Sequence, residues 1–134
     1  MQRKSGRLLL ASGLLAALVG AAPAWAQAEA DAASVARGKR LFMRCAACHE
    51  AVAGSKLVKT GPNLHGLFGR SAGALPGYQF STDLKAAGFV WDEAKLDAWL
   101  VKPTALAPNT TMAFVGMTDA AERKALVAFL RSLK

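Results

Sequence analysis

The chain has 134 residues and a formal net charge of +8, with 17 lysines and arginines against nine aspartates and glutamates. This length is enough for one small domain, and the presence of only two cysteines excludes a framework of several disulfides. No basic run alternates with aromatic residues, so the charge does not indicate nucleic-acid binding and is better suited to steering acidic protein partners.

The first 26 residues have the three parts of a secretory signal peptide. Three cationic residues form the basic start: Arg3, Lys4 and Arg7. Residues 8–22 form an apolar core, and residues 24–26 read Ala-Trp-Ala, an A-x-A cleavage site. The apolar run of about fifteen residues is short for a membrane span, and an uncleaved anchor is the alternative. We therefore expect export to the periplasm and a mature chain, residues 27–134, with 14 basic and nine acidic residues and a net charge of +5.

The mature chain is predicted to begin with a flexible segment and a helix. Residues 27–33 are rich in alanine and acidic, and we expect a flexible lead-in there. The spacing of residues 33–45 predicts a helix. Five of them fall on one side of this helix: Val35, Gly38, Leu41, Phe42 and Cys45. Glycine lowers helix propensity, so Gly38 on this side predicts that another helix crosses closely at that point.

The next five residues, Cys45-Ala46-Ala47-Cys48-His49, form the Cys-x-x-Cys-His sequence to which c-type haem is attached. In such a sequence two thiols bond the porphyrin as thioethers, and the histidine ligates the iron. A thiol redox motif would be expected within a βαβ pattern, which does not surround this one. A zinc knuckle needs a fourth ligand at close spacing, and the only other histidine, His65, lies in a Gly-rich loop. The short pattern can also arise by chance, but we favour one covalently bound haem c.

The remaining segments predict short helices and no alternating strands, so the domain at residues 34–134 is predicted to be all-α. Residues 81–87 are expected to form a short helix that Gly88 stops. Asp92 can cap the next helix, and Pro103 blocks its continuation. A final helix starts near Asp119, and its apolar side is formed by Leu126, Phe129, Leu130 and Leu133.

Two further stretches resemble a known family. Residues 60–70 read TGPNLHGLFGR, and residues 108–116 read PNTTMAFVG. Together with the haem motif, they are similar to the class I cytochrome c family, in particular its mitochondrial-type members and their bacterial relatives. The similarity extends over about residues 34–133. It implies the fold of that family, in which several short helices wrap around one covalently bound haem and the terminal helices cross.

The resemblance also implies roles for individual residues. From the residues alone, His65, Met112 and Met117 are all candidates for the second iron ligand; the resemblance selects Met112. A thioether ligand favours Fe(II) and raises the reduction potential relative to two histidines. Pro62 matches the proline whose carbonyl accepts a hydrogen bond from the ligand histidine. Five more residues match positions around the haem propionates, the ligand loop or the methionine sulfur: Arg70, Tyr78, Trp91, Trp99 and Thr110.

Several positions depart from the family pattern. Phe80 stands where mitochondrial members often have a tyrosine, and Leu84 where an asparagine commonly joins a buried water network. A more apolar crevice disfavours the charged ferric form, so we expect a high reduction potential. Trp99 replaces a tyrosine near the methionine sulfur, where its indole N–H can still donate. Asn109 replaces a glycine, which we explain by the tolerance of asparagine for positive φ.

The resemblance implies a docking face around the haem edge as well. Mitochondrial members surround that edge with lysines, and here Arg44 and Lys59 keep two such positions. Neutral or acidic residues replace others: Thr104, Ala105, Thr111, Thr118 and Asp119. Basic steering should therefore be weaker than in those relatives, and the partner surface less acidic or more apolar.

The implied function is a diffusible one-electron carrier rather than an enzyme, because a His49/Met112 pair closes both axial positions of the iron. The implied partners are redox proteins such as a bc-type complex, an oxidase, a reaction centre or a periplasmic dehydrogenase. Docking at membrane complexes should be transient, and the chain should be a monomer. The alternatives are a haem peroxidase or diatomic-gas sensor with a labile methionine ligand, and a thiol–disulfide oxidoreductase using Cys45 and Cys48.

Overall fold

The computed structural model describes residues 23–134, which form five helices joined by long loops. The helices are α1 (Ala24–Phe42), α2 (Thr82–Ala86), α3 (Glu93–Val101), α4 (Pro103–Leu106) and α5 (Ala120–Ser132). Residues 23–134 contain no strand, only an isolated bridge between Ser71 and Val90. The prediction of an all-α fold is therefore confirmed.

The N-terminal helix starts earlier than the sequence indicates. Most of the predicted signal peptide, residues 1–22, lies outside the described residues. Its proposed cleavage site at residues 24–26 forms the first turn of α1, and the predicted lead-in at residues 27–33 continues the same helix. Almost all side chains of residues 24–33 are exposed, so this part has no buried apolar side that a periodicity could reveal. No helix of the described chain is long and apolar enough to cross a membrane.

The helices α1 and α5 cross in close contact at Gly38. A Cβ atom on Gly38 would overlap the carbonyl group of Ala125 and would lie 2.7 Å from the Cβ atom of Phe129. One turn further along α1, the ring of Phe42 packs on that of Phe129, with the ring centroids 5.4 Å apart. Only a residue without a side chain permits this approach, which agrees with the crossing predicted from the glycine.

Three of the other helices, α2, α3 and α5, begin where a short polar side chain caps them. The carboxylates of Asp92 and Asp119 each accept a backbone N–H from three residues further on, at 2.7 and 2.9 Å, and so start α3 and α5. Pro103 follows the end of α3 and is the first residue of α4, a single turn that the sequence analysis did not predict. The helix α3 packs against α4 and α5.

The buried core runs from the crossing of α1 and α5 along α3 to the loop between α1 and α2. Its largest members are aromatic and aliphatic residues from all three regions: Phe42, Leu67, Trp91, Leu96, Trp99, Leu100, Leu126, Phe129 and Leu130. Several of these side chains also form the wall of a deep cleft. The loops at residues 43–81 and 107–119 close the sides of this cleft, so its shape depends on the segments outside the helices.

Candidate haem-binding cleft

The cleft brings together all the site residues predicted from the sequence. Its volume is about 1370 Å³, counting the open mouth. The ten predicted residues that line it are Cys45, Cys48, His49, Pro62, Arg70, Tyr78, Trp91, Trp99, Thr110 and Met112. Most of the other lining side chains are apolar, and a cleft of apolar walls with a few converging polar groups is typical of a cofactor site.

The segment after α1 presents both cysteines and the histidine from one turn of backbone. The amides of Cys48 and His49 donate to the carbonyl of Cys45 at 3.0 and 2.8 Å. This turn places the two sulfurs and the imidazole at the same cleft. Burial raises the pKa of the Cys45 thiol, whereas a thiol that exchanges disulfides needs a lowered pKa. Cys45 therefore lacks the lowered pKa of a thiol that attacks disulfides.

His49 is held in the tautomer that a metal ligand needs. Its Nδ1 atom lies 2.8 Å from the carbonyl oxygen of Pro62, and because a carbonyl only accepts, Nδ1 carries the proton and donates it. The Nε2 atom is left without a proton, as a metal ligand requires. Burial lowers the pKa of His49, which favours the neutral imidazole, although the hydrogen bond to Pro62 acts in the opposite direction. Gly61 is required beside it, since a Cβ there would lie 2.5 Å from Cε1 of His49.

The cleft distinguishes among the candidates for the second ligand. Of the methionines in residues 23–134, Met112 alone lines the cleft. Met43 is 72% exposed, and Met117 is buried outside the cleft. His65 does not contribute to the cleft wall either. The indole Nε1–H of Trp99 lies 3.3 Å from the sulfur of Met112 and donates to it, as the sequence comparison with the family's tyrosine suggests.

The polar groups proposed for the haem propionates differ in the donors they have left. The Arg70 guanidinium donates to the carbonyls of Asn63, at 3.1 Å, and His65, and burial lowers its pKa. The Tyr78 hydroxyl uses its single proton on the carbonyl of Thr60, at 2.6 Å. The indole N–H of Trp91, by contrast, has no hydrogen-bond partner among the described residues and stays available in the cleft wall.

The structure changes the explanation of Asn109. No residue other than glycine has a positive φ in the described chain, so the conformational argument for asparagine at this position is wrong. Instead, the backbone N–H and the side-chain Nδ2 of Asn109 both donate to Oδ2 of Asp83, at 2.8 and 2.9 Å. The sequence analysis missed Asp83 because this pairing joins residues 26 positions apart and has no local signature.

The two cations assigned to the docking face have partners within the chain. Arg44 pairs with the carboxylate of Glu122 at 3.0 Å. The Lys59 ammonium donates to the carbonyls of Ala46 and His49, at 2.7 and 3.2 Å, and its side chain is only 27% exposed. Lys59 therefore braces the attachment turn, a role that the sequence did not indicate because the acceptors are backbone atoms.

The donor set fits haem c. Two thiols for the thioether bonds, a neutral imidazole and a thioether sulfur face one largely apolar cleft, and the Arg70 guanidinium and the Trp91 indole are there to meet acidic substituents. A zinc knuckle would need three or four ligands close together. Within residues 23–134, no three His, Cys, Asp or Glu side chains are arranged to hold a metal ion.

Comparisons with known proteins agree with this reading of the cleft. The sequence model of the cytochrome c family matches residues 35–134. A cytochrome c2 of Rhodomicrobium vannielii is 37% identical over 114 residues, which cover 85% of this chain and 90% of that protein. A cytochrome c type-1 of Ascaris suum is 44% identical over 94 residues, covering 69% and 82% of the two chains. A cytochrome c2 of Afifella marina is 39% identical over 101 residues, covering 73% and 81%. The chain thus belongs to the class I cytochrome c family and carries one covalently bound haem c.

Proposed function

We propose that this cytochrome carries single electrons between periplasmic or membrane-bound redox proteins, with His49 and Met112 as the two axial ligands of the haem iron. One observation supports this ligation above all others: Met112 is the one methionine of the described chain in the wall of the cleft that also holds His49 and both cysteines. Electron transfer is the chemistry that a haem iron with both axial positions filled can supply.

Neighbouring residues orient the side chains of His49 and Met112. The Pro62 carbonyl fixes the imidazole through Nδ1, and the Trp99 indole fixes the side chain of Met112 through its sulfur. Because a hydrogen bond fixes each of the two ligand side chains, little rearrangement should accompany a change in the oxidation state of the iron. Leu84, which is buried, and Phe80 keep the cleft wall apolar and disfavour the extra positive charge of the oxidised form. We therefore propose a high reduction potential.

Location and partners follow from the leader and the surface charge. The predicted signal peptide places the mature domain in the periplasm, where it would act as a monomer that docks transiently. Because Glu122 offsets the charge of Arg44 and the Lys59 side chain is mostly buried, these two residues should attract an acidic surface less than free surface cations would. Association with a redox complex should therefore respond weakly to added salt, which stopped-flow reduction at increasing ionic strength measures.

The ligation is tested with the Met112→Ala variant of the holoprotein. Wild-type oxidised protein should show the far-red methionine–iron charge-transfer band, and its reduced form should not bind carbon monoxide. The variant should lose the band, bind carbon monoxide and have a lower reduction potential. Met43→Ala is the matched control, because Met43 is exposed and should leave all three properties unchanged. A wild-type protein that lacks the band and takes up carbon monoxide at once would exclude this ligation and favour the peroxidase or sensor alternative.

Export is tested by the N-terminus of the mature protein. Expression of the full chain in a bacterium that attaches haem c in its periplasm should yield red protein in the periplasmic fraction. Mass spectrometry should give a chain that starts at Gln27 and carries one haem. A holoprotein that keeps residues 1–26 and stays with the membrane fraction would show that the leader is retained as an anchor.

A further inference from the structure

We infer that Asp83 is a positioning residue that holds the segment carrying Met112 against the cleft, acting through Asn109. We call residues 108–116 the Met112 loop. The inference rests on the proposed ligation of iron by Met112, and it assigns the stability of that ligation to a carboxylate on a different element. The juxtaposition that carries it is the contact of one Asp83 oxygen with two N–H donors of Asn109.

The Met112 loop has few other attachments. Among the described residues, three groups outside the loop form hydrogen bonds to it: the Asp83 carboxylate, the Trp99 indole and the carbonyl of Ala107, which accepts from the Thr110 amide at 3.0 Å. Within the loop, the Met112 amide donates to the Thr110 hydroxyl at 3.3 Å and its carbonyl accepts from Phe114 at 3.0 Å. These internal contacts shape the loop but do not fix it to the rest of the protein.

The two ends of the loop are anchored differently. After the loop, the Met117 amide donates to the Leu100 carbonyl at 2.8 Å, and Gly116 packs so closely on the carbonyl of Val101 that a side chain would overlap it. Before Met112, the Thr110 amide donates at 3.0 Å to the carbonyl of Ala107, which is buried, and Asp83 holds Asn109 from a different element. Loss of Asp83 would therefore loosen this end of the loop and leave the other in place.

Asp83 itself is held in position. It lies in the first turn of α2, whose N-cap Ser81 accepts the Leu84 amide at 3.3 Å. Leu84, the next residue, is buried in the core and fixes this helix to the cleft wall. The backbone amide and the side-chain amide of Asn109 both donate to the Asp83 carboxylate. Hydrogen bonds to a charged acceptor are stronger than those between neutral groups. Asn109 is exposed and Asp83 is partly buried, so water weakens these hydrogen bonds but does not replace their geometry.

The consequence is an effect on how often Met112 leaves the iron. If the loop opens in a small fraction of molecules, an external ligand binds in proportion to that fraction. Hydrogen bonds to a charged group change such an equilibrium by about tenfold or more when they are lost. Asp83→Ala should therefore raise the apparent affinity of the oxidised protein for imidazole by about tenfold.

The experiment titrates the oxidised holoproteins with imidazole and follows the far-red band. Asn109→Ala keeps its backbone N–H and should give a smaller increase in affinity than Asp83→Ala. Asp83→Asn keeps an acceptor of the same shape without the charge and should lie between wild type and Asp83→Ala. The double variant should not exceed Asp83→Ala, because the two side chains act through one contact. Asp92→Ala is the control, since this aspartate caps α3 through the Lys95 amide and should leave imidazole binding unchanged.

Equal imidazole affinity in wild type, Asp83→Ala and Asp83→Asn would overturn the inference. An equal increase in Asp92→Ala would also overturn it, because the effect would then come from general destabilisation. Failure of the proposed ligation has a different signature. In that case the wild-type protein lacks the far-red band, and Met112→Ala binds imidazole no more tightly than wild type does.

Discussion

Two kinds of contact shape the haem-binding cleft. One is the crossing of α1 with α5, and the other is the attachment of the Met112 loop. At the crossing, Gly38 lies against the backbone of α5 and two aromatic rings interlock, so the contact is apolar, buried and continuous. The loop, by contrast, is half exposed and is attached to the rest of the chain by hydrogen bonds to Asp83, Trp99 and the Ala107 carbonyl and by the packing of Gly116. The first contact consists of atoms of the chain alone, whereas under the proposed ligation the second also includes the bond from the Met112 sulfur to the iron.

These two kinds of contact hold opposite parts of the cleft: the crossing supports His49, and the loop carries Met112. The attachment turn follows α1 directly, so the crossing fixes the position of His49. Met112 lies in a segment with no fully buried residue, of which Met112 and Phe114 pack against the core, so this segment should open more easily than the crossing. Substitutions at the crossing should therefore affect the whole fold, and substitutions around the loop should affect the iron ligand while the fold persists.

The largest effect is expected from Gly38→Val. Its side chain has no space beside the Ala125 carbonyl, so the two helices must separate, and the variant should lose about 3 kcal/mol of unfolding free energy. Denaturant titration of the holoprotein measures the loss. Ala36→Val places the same side chain on an exposed part of α1 and should cost about 0.5 kcal/mol. Equal losses in the two variants would mean that the crossing is not tightly packed.

The next effect is expected from Gly61→Ala, which adds a methyl group 2.5 Å from the His49 ring. Because Gly61 does not have a positive φ, the substitution acts through this collision alone. The imidazole must shift away from the Pro62 carbonyl, at a cost of about 1–3 kcal/mol in unfolding free energy. The weaker hydrogen bond should also change the reduction potential, which protein-film voltammetry records. An unchanged potential would show that the ring tolerates the displacement.

A smaller effect is expected from Trp99→Phe, which removes the donor to the Met112 sulfur and keeps an aromatic ring in the core. The lost hydrogen bond contributes about 1 kcal/mol. The far-red band should shift or weaken, and imidazole affinity should rise, with a smaller loss of stability than in Gly38→Val. Trp91→Phe removes an indole that does not hydrogen-bond to Met112, so it should leave the far-red band in place. A band that responds equally to both variants would contradict a direct role of the Trp99 indole.

The smallest effect is expected from Asp119→Asn at the start of α5. Backbone hydrogen bonds, chiefly from the Glu122 amide, hold the pKa of Asp119 below its usual value, and Arg37 and Arg123 act in the same direction. A lowered pKa stabilises the fold above the unfolded value, about pH 4, and this contribution disappears as the pH falls through the folded value. Asparagine is an equally good cap, so the variant should melt slightly lower than wild type at pH 7, and this difference should shrink as the pH falls below about 4. Thermal unfolding at pH 7 and at several pH values below 4 checks this.

Features with a local signature could be predicted from the sequence. Gly38 in an apolar helix face predicted the crossing of α1 and α5. Asp92 and Asp119 predicted the first residues of two helices, because capping is a short-range effect. The haem-attachment residues could be predicted from the Cys-x-x-Cys-His sequence, whereas the prediction of the other cleft residues depended on the family resemblance. The contacts of Lys59 and Asp83 could not be predicted, because polar contacts between distant segments leave no periodicity. The early start of α1 was missed since its first turns bury no apolar side.

The crossing has a further consequence for chain entropy. It joins Gly38 to Ala125, positions 87 residues apart, and so ties the intervening chain into a ring that includes His49 and Met112. The entropy lost on closing a loop grows only slowly with its length, and most of it is lost when the terminal helices meet. Under the proposed ligation, the Met112 sulfur then reaches the iron within an already confined ring. The terminal helices thereby raise the effective concentration of Met112 near His49.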